Sequence, residues 1–583
     1  MRRSAIWAIG LFGGLAVLVG GLHHWPLASD RVGAQLDQQI ASRVGLHARR
    51  PARTTLTLLP WPTARVAGFD IVDARGASVF SAPTARFPLS LTRLMVGGFV
   101  PVGAVFSNPT ASIDLDAASA AAANPPDADD NPEPPSLWSR VRLAGGVAHV
   151  VSASRGIDVL IDNVDGSIDW PAAGARMRFS LAAAWRGESV AIQGAIADPR
   201  AIAERRATPV SFSIASRPLA FSFDGRSGGD AHAGFAGRLS AQIPSLSALE
   251  RLVGAGPAMS LAGDSLSLEA DARTNDASLA LDDARLEFAR QSFEGALTLS
   301  RENGRAALAG TLAADTLELD PLLGAPPAFM DAAGAWNAAP FAFAPPGDLD
   351  LDLRVSAARA SWFGHEIDDA AGSLFCRDGT LTAKLLQSTA YGGALRGQLT
   401  LARRADKLDA QTTVSLVDAD LGAAFADFGW RGYRGRGGLE LSLRATGRAP
   451  ADAVASSSGA VSLDLQAGVV DGLSIEQAIR RSQRRPLVVD RDLAAGQTAF
   501  MRAHARAGLA NGVATVGEAT VNGPAEALTI DGAIDLARRA LRLRMAATQT
   551  DASGAPSADA ARLTVLFEGP WSAPTVVAVP SSE

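Results

Sequence analysis

The chain has 583 residues, a formal net charge of −6 at pH 7 and 47% hydrophobic residues. This balance argues against a protein that binds nucleic acid through bulk positive charge, and the apolar content argues against a chain that is disordered throughout. Cys376 is the only cysteine, which excludes an intrachain disulfide and every metal site that needs several cysteines.

An uncharged apolar run occupies residues 5–22, directly after Arg2 and Arg3. About 20 apolar residues cross the hydrocarbon core of a bilayer, so this run is long enough to be a transmembrane helix. Basic residues stay preferentially in the cytoplasm. We therefore expect residues 1–4 to be cytoplasmic and the bulk of the chain to lie on the far side of the membrane.

Trp7 and Trp25 stand near the two ends of this run, and we predict that both lie at the membrane interface. The alternative is a cleaved signal peptide, whose apolar core ends in small residues before the cut. Pro26 stands three residues before a cut after Ala28, which fits such a site poorly. An uncleaved anchor is the favoured interpretation.

From residue 54 onward, apolar and polar residues alternate with a period of two, which predicts strands with one apolar face. The runs leave little room for crossover helices, so sequential pairing should be antiparallel. An open sheet of this length must curl or split. The predicted fold class is mostly β, with one N-terminal transmembrane helix followed by an elongated, curled, groove-like antiparallel sheet and a few short helices.

The apolar faces of such strands either meet in a dry core or stand apart as a groove. For the groove, the predicted lining residues are strand-alternating leucines. They are Leu266, Leu268, Leu279, Leu281, Leu297 and Leu299.

Helical patterns are few, at residues 90–96, 247–253 and 474–485, where Pro486 ends the last one. Two stretches break the strand pattern. Residues 117–135 are rich in alanine, proline and acidic residues and predict an exposed flexible insert, whose partial removal (124–135) should change stability by no more than ~0.5 kcal/mol. Residues 324–347 are rich in proline and alanine and only weakly patterned.

Catalytic and metal-binding patterns are weak. Gly225, Ser227 and Gly229 spell GxSxG, but no helix pattern follows them, so a hairpin loop is favoured over a nucleophile elbow. His23 and His24 are adjacent but have no third ligand at a recognisable spacing. We predict no enzymatic activity, no cofactor and no metal site.

A basic cluster follows the last predicted helix pattern. It consists of Arg480, Arg481, Arg484 and Arg485. One interpretation is a solvated helix face, and the other is contact with anionic lipid headgroups or an acidic partner protein.

Three features occur in a fixed order: the anchor, a proline-containing strand segment with Pro60, Pro62 and Pro109, and a carboxy-terminal stretch (437–543) that contains the run AGVVDGLSIEQAIR. In this order they resemble the AsmA family, membrane-anchored proteins of the Gram-negative envelope. The middle of the chain is similar to the family only in texture. The acidic insert departs from the family's usual continuation.

The resemblance implies single-pass anchoring in the inner membrane, with the bulk of the chain in the periplasm. It also implies binding or conduction of phospholipid or another envelope lipid along a hydrophobic β-groove, in support of outer-membrane assembly. The partners would be that lipid, the inner membrane and envelope proteins, with no nucleic acid. The alternative is a periplasmic scaffold or chaperone that holds no lipid.

The predicted organisation has six parts. They are a cytoplasmic terminus (1–4), the anchor (5–22), an N-terminal AsmA-like β module (23–116), the insert (117–135), a central repetitive β region (136–436) and a C-terminal AsmA-like β module with its helix near 474–485 (437–583).

Overall fold

The structure is a computed structural model. It describes residues 22–26, 37, 47–49, 53–73, 76–95, 100–114, 116, 139–152, 157–171, 174–204, 206–228, 234–253, 265–275, 278–302, 304–323, 329–331, 334–341, 349–362, 364–427, 432–471, 474–482, 496–550 and 562–580. Nearly all of the predicted anchor, including Trp7, lies outside these residues, as do residues 124–135. Within the described part of the chain, no helix is long and apolar enough to span a membrane.

The chain divides into two compact units, the first made of residues 1–257 with 264–281 and the second of 258–263 with 282–583. Both are mostly β, as predicted. The division near residue 281 falls inside the predicted central region.

The strands of unit 1 are β1 Trp25–Pro26, β2 His47–Ala48, β3 Arg53–Thr57, β4 Thr63–Val72, β5 Ser78–Pro88, β6 Ala104–Ser107, β7 Thr110–Asp114, β8 Arg140–Ser152, β9 Ile157–Asp169, β10 Met177–Trp185, β11 Glu188–Ile196, β12 Thr208–Ala215, β13 Ala220–Ser227, β14 Phe235–Ile243 and β15 Leu266–Thr274. Its helices are α1 Leu91–Met95, α2 Pro199–Ala203 and α3 Leu246–Val253. Strand β16, Ser278–Phe288, contains the boundary between the units.

The strands of unit 2 are β17 Gln291–Glu302, β18 Arg305–Glu318, β19 Leu349–Trp362, β20 His365–Arg377, β21 Thr380–Ala390, β22 Gly393–Arg404, β23 Lys407–Asp420, β24 Tyr433–Gly447, β25 Ser458–Asp471, β26 Gln497–Phe500, β27 Arg502–Ala510, β28 Val513–Asn522, β29 Glu526–Asp535, β30 Ala540–Gln549, β31 Arg562–Pro570 and β32 Thr575–Pro580. Its helices are α4 Asp320–Leu323, α5 Leu421–Asp427, α6 Pro450–Ser456 and α7 Ile475–Ser482.

The beginning of unit 1 has a dry core. Phe69, Phe87 and Phe106 are almost fully buried, and together with Phe80 they make ring contacts at centroid distances of 4.9 to 6.3 Å. Edge-to-face aromatic pairs of this kind add to the stabilisation that burial supplies. The strands from β8 to β15 then pair in sequence, each antiparallel to the next.

Unit 2 is a longer antiparallel series. Strands β19 to β25 pair one after another, β25 pairs with both β26 and β27, and the order continues from β27 to β32. Some pairs are closed by a short turn, as at Asp378 and Gly379 between β20 and β21, where both residues have positive φ, whereas α5 lies between β23 and β24 and α6 between β24 and β25. The predicted antiparallel meander is confirmed for these strands.

Among the described strands, parallel pairs interrupt the antiparallel series at two places. Strands β6 and β7 both pair parallel to β8, and β18 pairs parallel to β19. Parallel neighbours need a long crossover connection, because the chain must return to the edge from which it started. The two connections are the two stretches that break the alternating pattern, 117–135 and 324–347. These stretches are therefore topological crossovers and not simple excursions.

The three predicted helices are present. Helices α1 and α3 agree with the predictions to within one residue at each end, and α7 is described from Ile475 to Ser482. Helices α2 and α6 begin with a proline, which favours the first turn of a helix because its fixed φ is already helical. The apolar periodicity did not predict these two helices, whereas their initial prolines could have indicated where each one begins.

The parallel register changes what deletion of residues 124–135 should do. Asp116 accepts a hydrogen bond from Ser152, and Ser139 donates one to the Val102 carbonyl, so the connection is fixed at opposite ends of β8. Those ends are about 43 Å apart at ~3.3 Å per residue. The deletion leaves ten residues between Asp116 and Ser139, whose extended reach is about 36–40 Å.

We therefore expect this deletion to break one of the two fixing hydrogen bonds and to lower the free energy of unfolding by about 1–2 kcal/mol. The matched control is deletion of 126–131 alone, which leaves slack and should cost no more than ~0.5 kcal/mol. Denaturant unfolding followed by circular dichroism measures both. Equal, small effects of the two deletions would contradict the crossover argument.

Candidate functional site

One side of the sheet in unit 2 is apolar over many strands, because residues in register on antiparallel neighbours point to the same face. We call this side the leucine face. One row across it runs from β18 to β27. Its members are Gly310, Leu353, Leu374, Ala383, Leu399, Thr412, Leu443, Gly459 and Leu509.

A second row lies two residues further along each strand. Its members are Leu312, Val355, Gly372, Leu385, Gly397, Val414, Leu441, Val461 and Ala507. Nine strands at a spacing of about 4.8 Å make each row roughly 40 Å long. The rows therefore form a continuous apolar surface that crosses the strands at right angles.

The degree of burial varies along the leucine face. Leu399, Leu441 and Leu443 keep part of their surface exposed. By contrast, Leu563 is 2% exposed and Val565 is fully buried. If the middle of the leucine face were a dry interface, its leucines would be as buried as Leu563 and Val565. They are not, so the middle of the face is partly open to solvent.

Helix α7 accounts for the buried end of the face. Ile475, Ala478 and Ile479 share one side of this helix and pack against side chains of β29, β30 and β31, Met545 and Val565 among them. At the start of the helix, the Ile475 amide donates to the Thr498 hydroxyl at 3.1 Å. Burial and the nearby Glu476 raise the pKa of Glu526, which lies beside the helix.

Helix α5 covers the face near β23, β24 and β25. Leu421 and Ala424 pack with Tyr433, whose ring stacks on Phe500 at a centroid distance of 6.1 Å. At the end of the helix, the Tyr391 hydroxyl donates to the Asp427 carboxylate at 2.9 Å. Helices α5 and α7 thus cover separate parts of the face.

Residues 334–341 of the second crossover pack along the strand ends of unit 2. The Trp336 indole N–H donates to the Leu536 carbonyl at 2.7 Å, and its ring lies 6.2 Å from that of Trp571. Arg539 also lies over the Trp571 ring, with its guanidinium carbon 5.3 Å from the ring centroid. The amide of Ala451 in α6 donates to Asn337. The crossover thereby ties the ends of β24, β29 and β31 together.

The opposite face of the sheet is polar. Lys384, Gln398, Thr413 and Ser442 are in register on it and are all exposed. Two cavities of about 750 and 1,020 Å³ open on this face and share Lys384 and Gln398. Their walls are the polar-face side chains, and the second apolar row contributes to their floor. Members of the second apolar row, among them Val355 and Leu441, therefore border the cavities as well.

The six predicted groove leucines lie in both units. In unit 1, Leu268 pairs with Ala241, which in turn pairs with Phe221, so these three residues form a separate apolar row. Leu266 pairs with Ile243. In unit 2, Leu297 pairs with Gly310 of the first row.

Burial separates the rest of this set. Leu281 and Leu297 are buried at 6% and 8% exposure, Leu299 is 44% exposed, and Leu279 lies between these extremes. Contact of any of the six with a lipid stays a prediction.

The predicted basic cluster falls at the end of α7. The backbone of Arg480 and Arg481 belongs to this helix, while Arg484 and Arg485 lie outside the described residues. Trp25, the one described member of the predicted interface pair, is 48% exposed and contacts His23 at a ring distance of 5.1 Å. Contact of the basic cluster with headgroups or an acidic partner, and a membrane-interface position of Trp25, stay predictions.

The GxSxG residues do not form a nucleophile elbow. Gly225 and Ser227 lie within β13, paired on both sides, and Ser227 is 3% exposed. The predicted hairpin loop is wrong for these two residues, because the strand continues through them. Among the described residues, no group of three or more histidine, cysteine or acidic side chains could hold a metal ion.

Unit 2 is thus a repetitive antiparallel sheet protein with one apolar and one polar face. The sequence model of the AsmA family matches residues 258–518, a little under half of the chain, and this match supports membership of the AsmA family. The match covers β15 to β27 and most of β28, so it includes both apolar rows and the region whose resemblance looked weakest from sequence. No curated protein and no solved structure matches the chain.

The partial opening of the leucine face can be tested with an introduced charge. We expect Leu441→Arg to lower the free energy of unfolding by no more than about 1.5 kcal/mol, because the guanidinium can reach water from a partly exposed site. Val565→Arg, under α7, should cost more than about 3 kcal/mol, because it leaves a buried unpaired charge. Denaturant unfolding gives both values.

The matched control is Ser442→Arg, the next residue on the polar face, which should be within ~0.5 kcal/mol of the parent chain. If Leu441→Arg and Val565→Arg were equally destabilising, the middle of the leucine face would be a dry core.

The two tyrosines allow a direct pH test, since Tyr391 and Tyr433 are the only ones in the chain. Burial, the hydrogen bond to Asp427 and the charge of that carboxylate raise the pKa of Tyr391 to about 12. Burial and the charge of Asp420 raise the pKa of Tyr433. The folded protein should therefore show little tyrosinate absorbance at pH values near 10, where unfolded tyrosine is half ionised.

Because the folded pKa exceeds the unfolded one, the native state holds these protons more tightly. The stability that Tyr391 contributes should be constant below its unfolded pKa of about 10 and should be lost as the pH rises from about 10 to about 12. Asp427→Asn should shift the Tyr391 titration to lower pH and leave that of Tyr433 in place. Ionisation of both tyrosines near pH 10 in the folded chain would contradict the arrangement at α5.

Proposed function

We propose that the chain is a membrane-anchored lipid-binding protein of the cell envelope, whose leucine face holds the acyl chains of phospholipid or a similar lipid and conducts them in support of outer-membrane assembly. The observation that carries this proposal is the pair of apolar rows that cross nine strands without a polar interruption larger than Thr412, while their middle remains open to solvent in part.

The physical argument rests on what these rows can bind. Moving a methylene group from water to an apolar surface is favourable by ~0.8 kcal/mol, and it requires no directional hydrogen bond. Acyl chains are therefore suited to a surface that repeats leucine, valine and alanine with no polar anchor. Because the rows run across the strands, a chain can move from strand to strand through contacts of the same kind.

The proposed location has the anchor in the inner membrane, the first residues in the cytoplasm and both units in the periplasm. The match to the AsmA family supports an envelope protein, and the charge pattern around residues 5–22 supports the orientation. We further propose that the chain is not an enzyme and binds no cofactor. Ser227, the one serine in a nucleophile-like motif, is buried within a paired strand.

A second candidate function is a scaffold that contacts envelope proteins. It is favoured by three large apolar side chains that are exposed on the otherwise polar face, Phe375 at 42%, Leu386 at 60% and Val417 at 54%. Exposed apolar side chains with a polar surround are typical of protein contact surfaces. Phe375 and Leu386 line one of the two cavities on that face.

Site-specific photo-crosslinking in living cells separates the two functions. A photoreactive amino acid replaces Leu441 in the full chain, and the cells are grown with radioactive phosphate. We expect light-dependent phospholipid adducts at Leu441, because the probe would lie among the acyl chains on the leucine face.

The matched control places the same probe at Ser442, one residue away on the opposite face, where no lipid adduct should form. A third probe at Leu386 reports on protein partners. Adducts to protein at Leu386, with no lipid adduct at Leu441, would favour the scaffold and overturn lipid conduction.

A further inference from the structure

One position of the second apolar row has no side chain and lies in open space. Gly397 stands in β22 between Leu385 of β21 and Val414 of β23. A Cβ added there would meet only the Thr413 carbonyl oxygen, at 3.4 Å, within 4 Å. The residue is therefore a depression in the leucine face and not a point of close packing.

The other glycines of the two rows are different. At Gly372 an added Cβ would lie 2.4 Å from the Lys384 carbonyl oxygen. At Gly310 an added Cβ would lie 2.1 Å from the Ala296 carbonyl oxygen, and at Gly459 it would lie 1.9 Å from that of Ser442. Both also have positive φ, 156° and 150°. Those two positions need glycine because of their backbone conformation and their close neighbours.

Gly397 has neither reason. Its φ is not positive, and the space around its missing side chain is free. Glycine in a strand interior weakens the strand, because it has no side chain to pack and more conformational freedom to lose. Stability alone would favour a larger residue here. We infer that this position contributes open space on the leucine face.

We propose that Gly397 is the seat of a linear acyl chain on the leucine face and the residue that sets how bulky a chain can pass. The walls of the seat are Leu385 and Val414 on the neighbouring strands and Leu395 and Leu399 on the same strand, all on the leucine face. This inference rests on the proposed lipid-binding function and adds the position and the class of group that the face accepts.

The dimensions suit one hydrocarbon chain. A chain that runs along the row crosses β22 between Leu395 and Leu399, whose Cα atoms are about 13 Å apart at ~3.3 Å per residue. Apolar groups in contact have heavy atoms about 4 Å apart. With the side chains of Leu395 and Leu399 on each side, the gap over Gly397 accepts a chain one methylene wide, whereas a ring would need a wider opening.

The test fills the space over Gly397 with a larger side chain and measures lipid crosslinking at positions on either side of it. The full chain carries the photoreactive amino acid either at Leu353, three strands before Gly397, or at Leu441, two strands after it. In cells grown with radioactive phosphate, we expect Gly397→Trp to lower the phospholipid adduct at one of the two probes by about tenfold, which corresponds to 1.4 kcal/mol. Gly397→Ala should have a smaller effect.

The matched control is Gly508→Trp. Gly508 also lies in a strand without positive φ, and an added Cβ there meets nothing within 4 Å, but it faces the polar side in register with Ala460. Its adducts at both probes should equal those of the parent chain. Circular dichroism should show an unchanged strand signal for both tryptophan variants.

The outcomes separate the seat from the proposed function. If the lipid adducts of the parent chain persist in Gly397→Trp, the proposal for Gly397 is overturned while lipid binding stands. Equal losses of adduct in the two tryptophan variants would have the same meaning. No adduct in the parent chain would overturn lipid binding itself. If Gly397→Trp fails to fold, Gly397→Leu takes its place, and a second failure would overturn the seat because the space could not be open.

Discussion

The register between antiparallel strands is the constraint on which the rest of this structure depends. Side chains alternate between the faces, so a slip of one residue on any strand would exchange its leucines for its charged residues. Along the two apolar rows of unit 2 the register is kept from β18 to β27, and Leu353, Leu399 and Leu443 fall on one line only because each intervening pair is in register. Backbone hydrogen bonds thus fix a surface on which no specific side-chain contact is needed.

The two crossovers follow from the same constraint. A parallel pair keeps the facing of side chains but requires the chain to travel back along the strand, and the sequence provides a long, weakly patterned connection at each such place. In the second crossover, Trp336 and Asn337 also pack on the strand ends of the same unit. That contact joins parts of the chain about 200 residues apart, so it links strands that the ladder alone connects only through many intermediates.

Much of the fold could be predicted from the sequence, because period-two alternation is local. The strands, their antiparallel order and three helices were all readable in this way. The parallel pairs were not, since alternation does not encode strand direction. The candidate site was only partly predictable. The alternation of Leu439, Leu441 and Leu443 is visible in the sequence, but their place on the leucine face depends on pairing with residues up to 31 positions away. Leucines such as Leu281 looked equivalent in sequence and differ in burial, which only the packed structure decides.

The register shifts of unit 2 explain how one face can be open in one part and covered in another. Shifts occur between Leu416 and Ala419 in β23 and between Val516 and Ala519 in β28, both on the side of the apolar rows that helices α5 and α7 cover. A β-bulge adds a residue to one strand and increases its local twist, which re-aims the side chains beyond it. Asp418, at one shift, has a φ of 52°, a conformation that aspartate tolerates better than most residues, and its carboxylate accepts a hydrogen bond from Arg436 at 3.1 Å. The bulges therefore separate a helix-covered edge that stabilises the sheet from an open band whose apolar side chains remain free to bind.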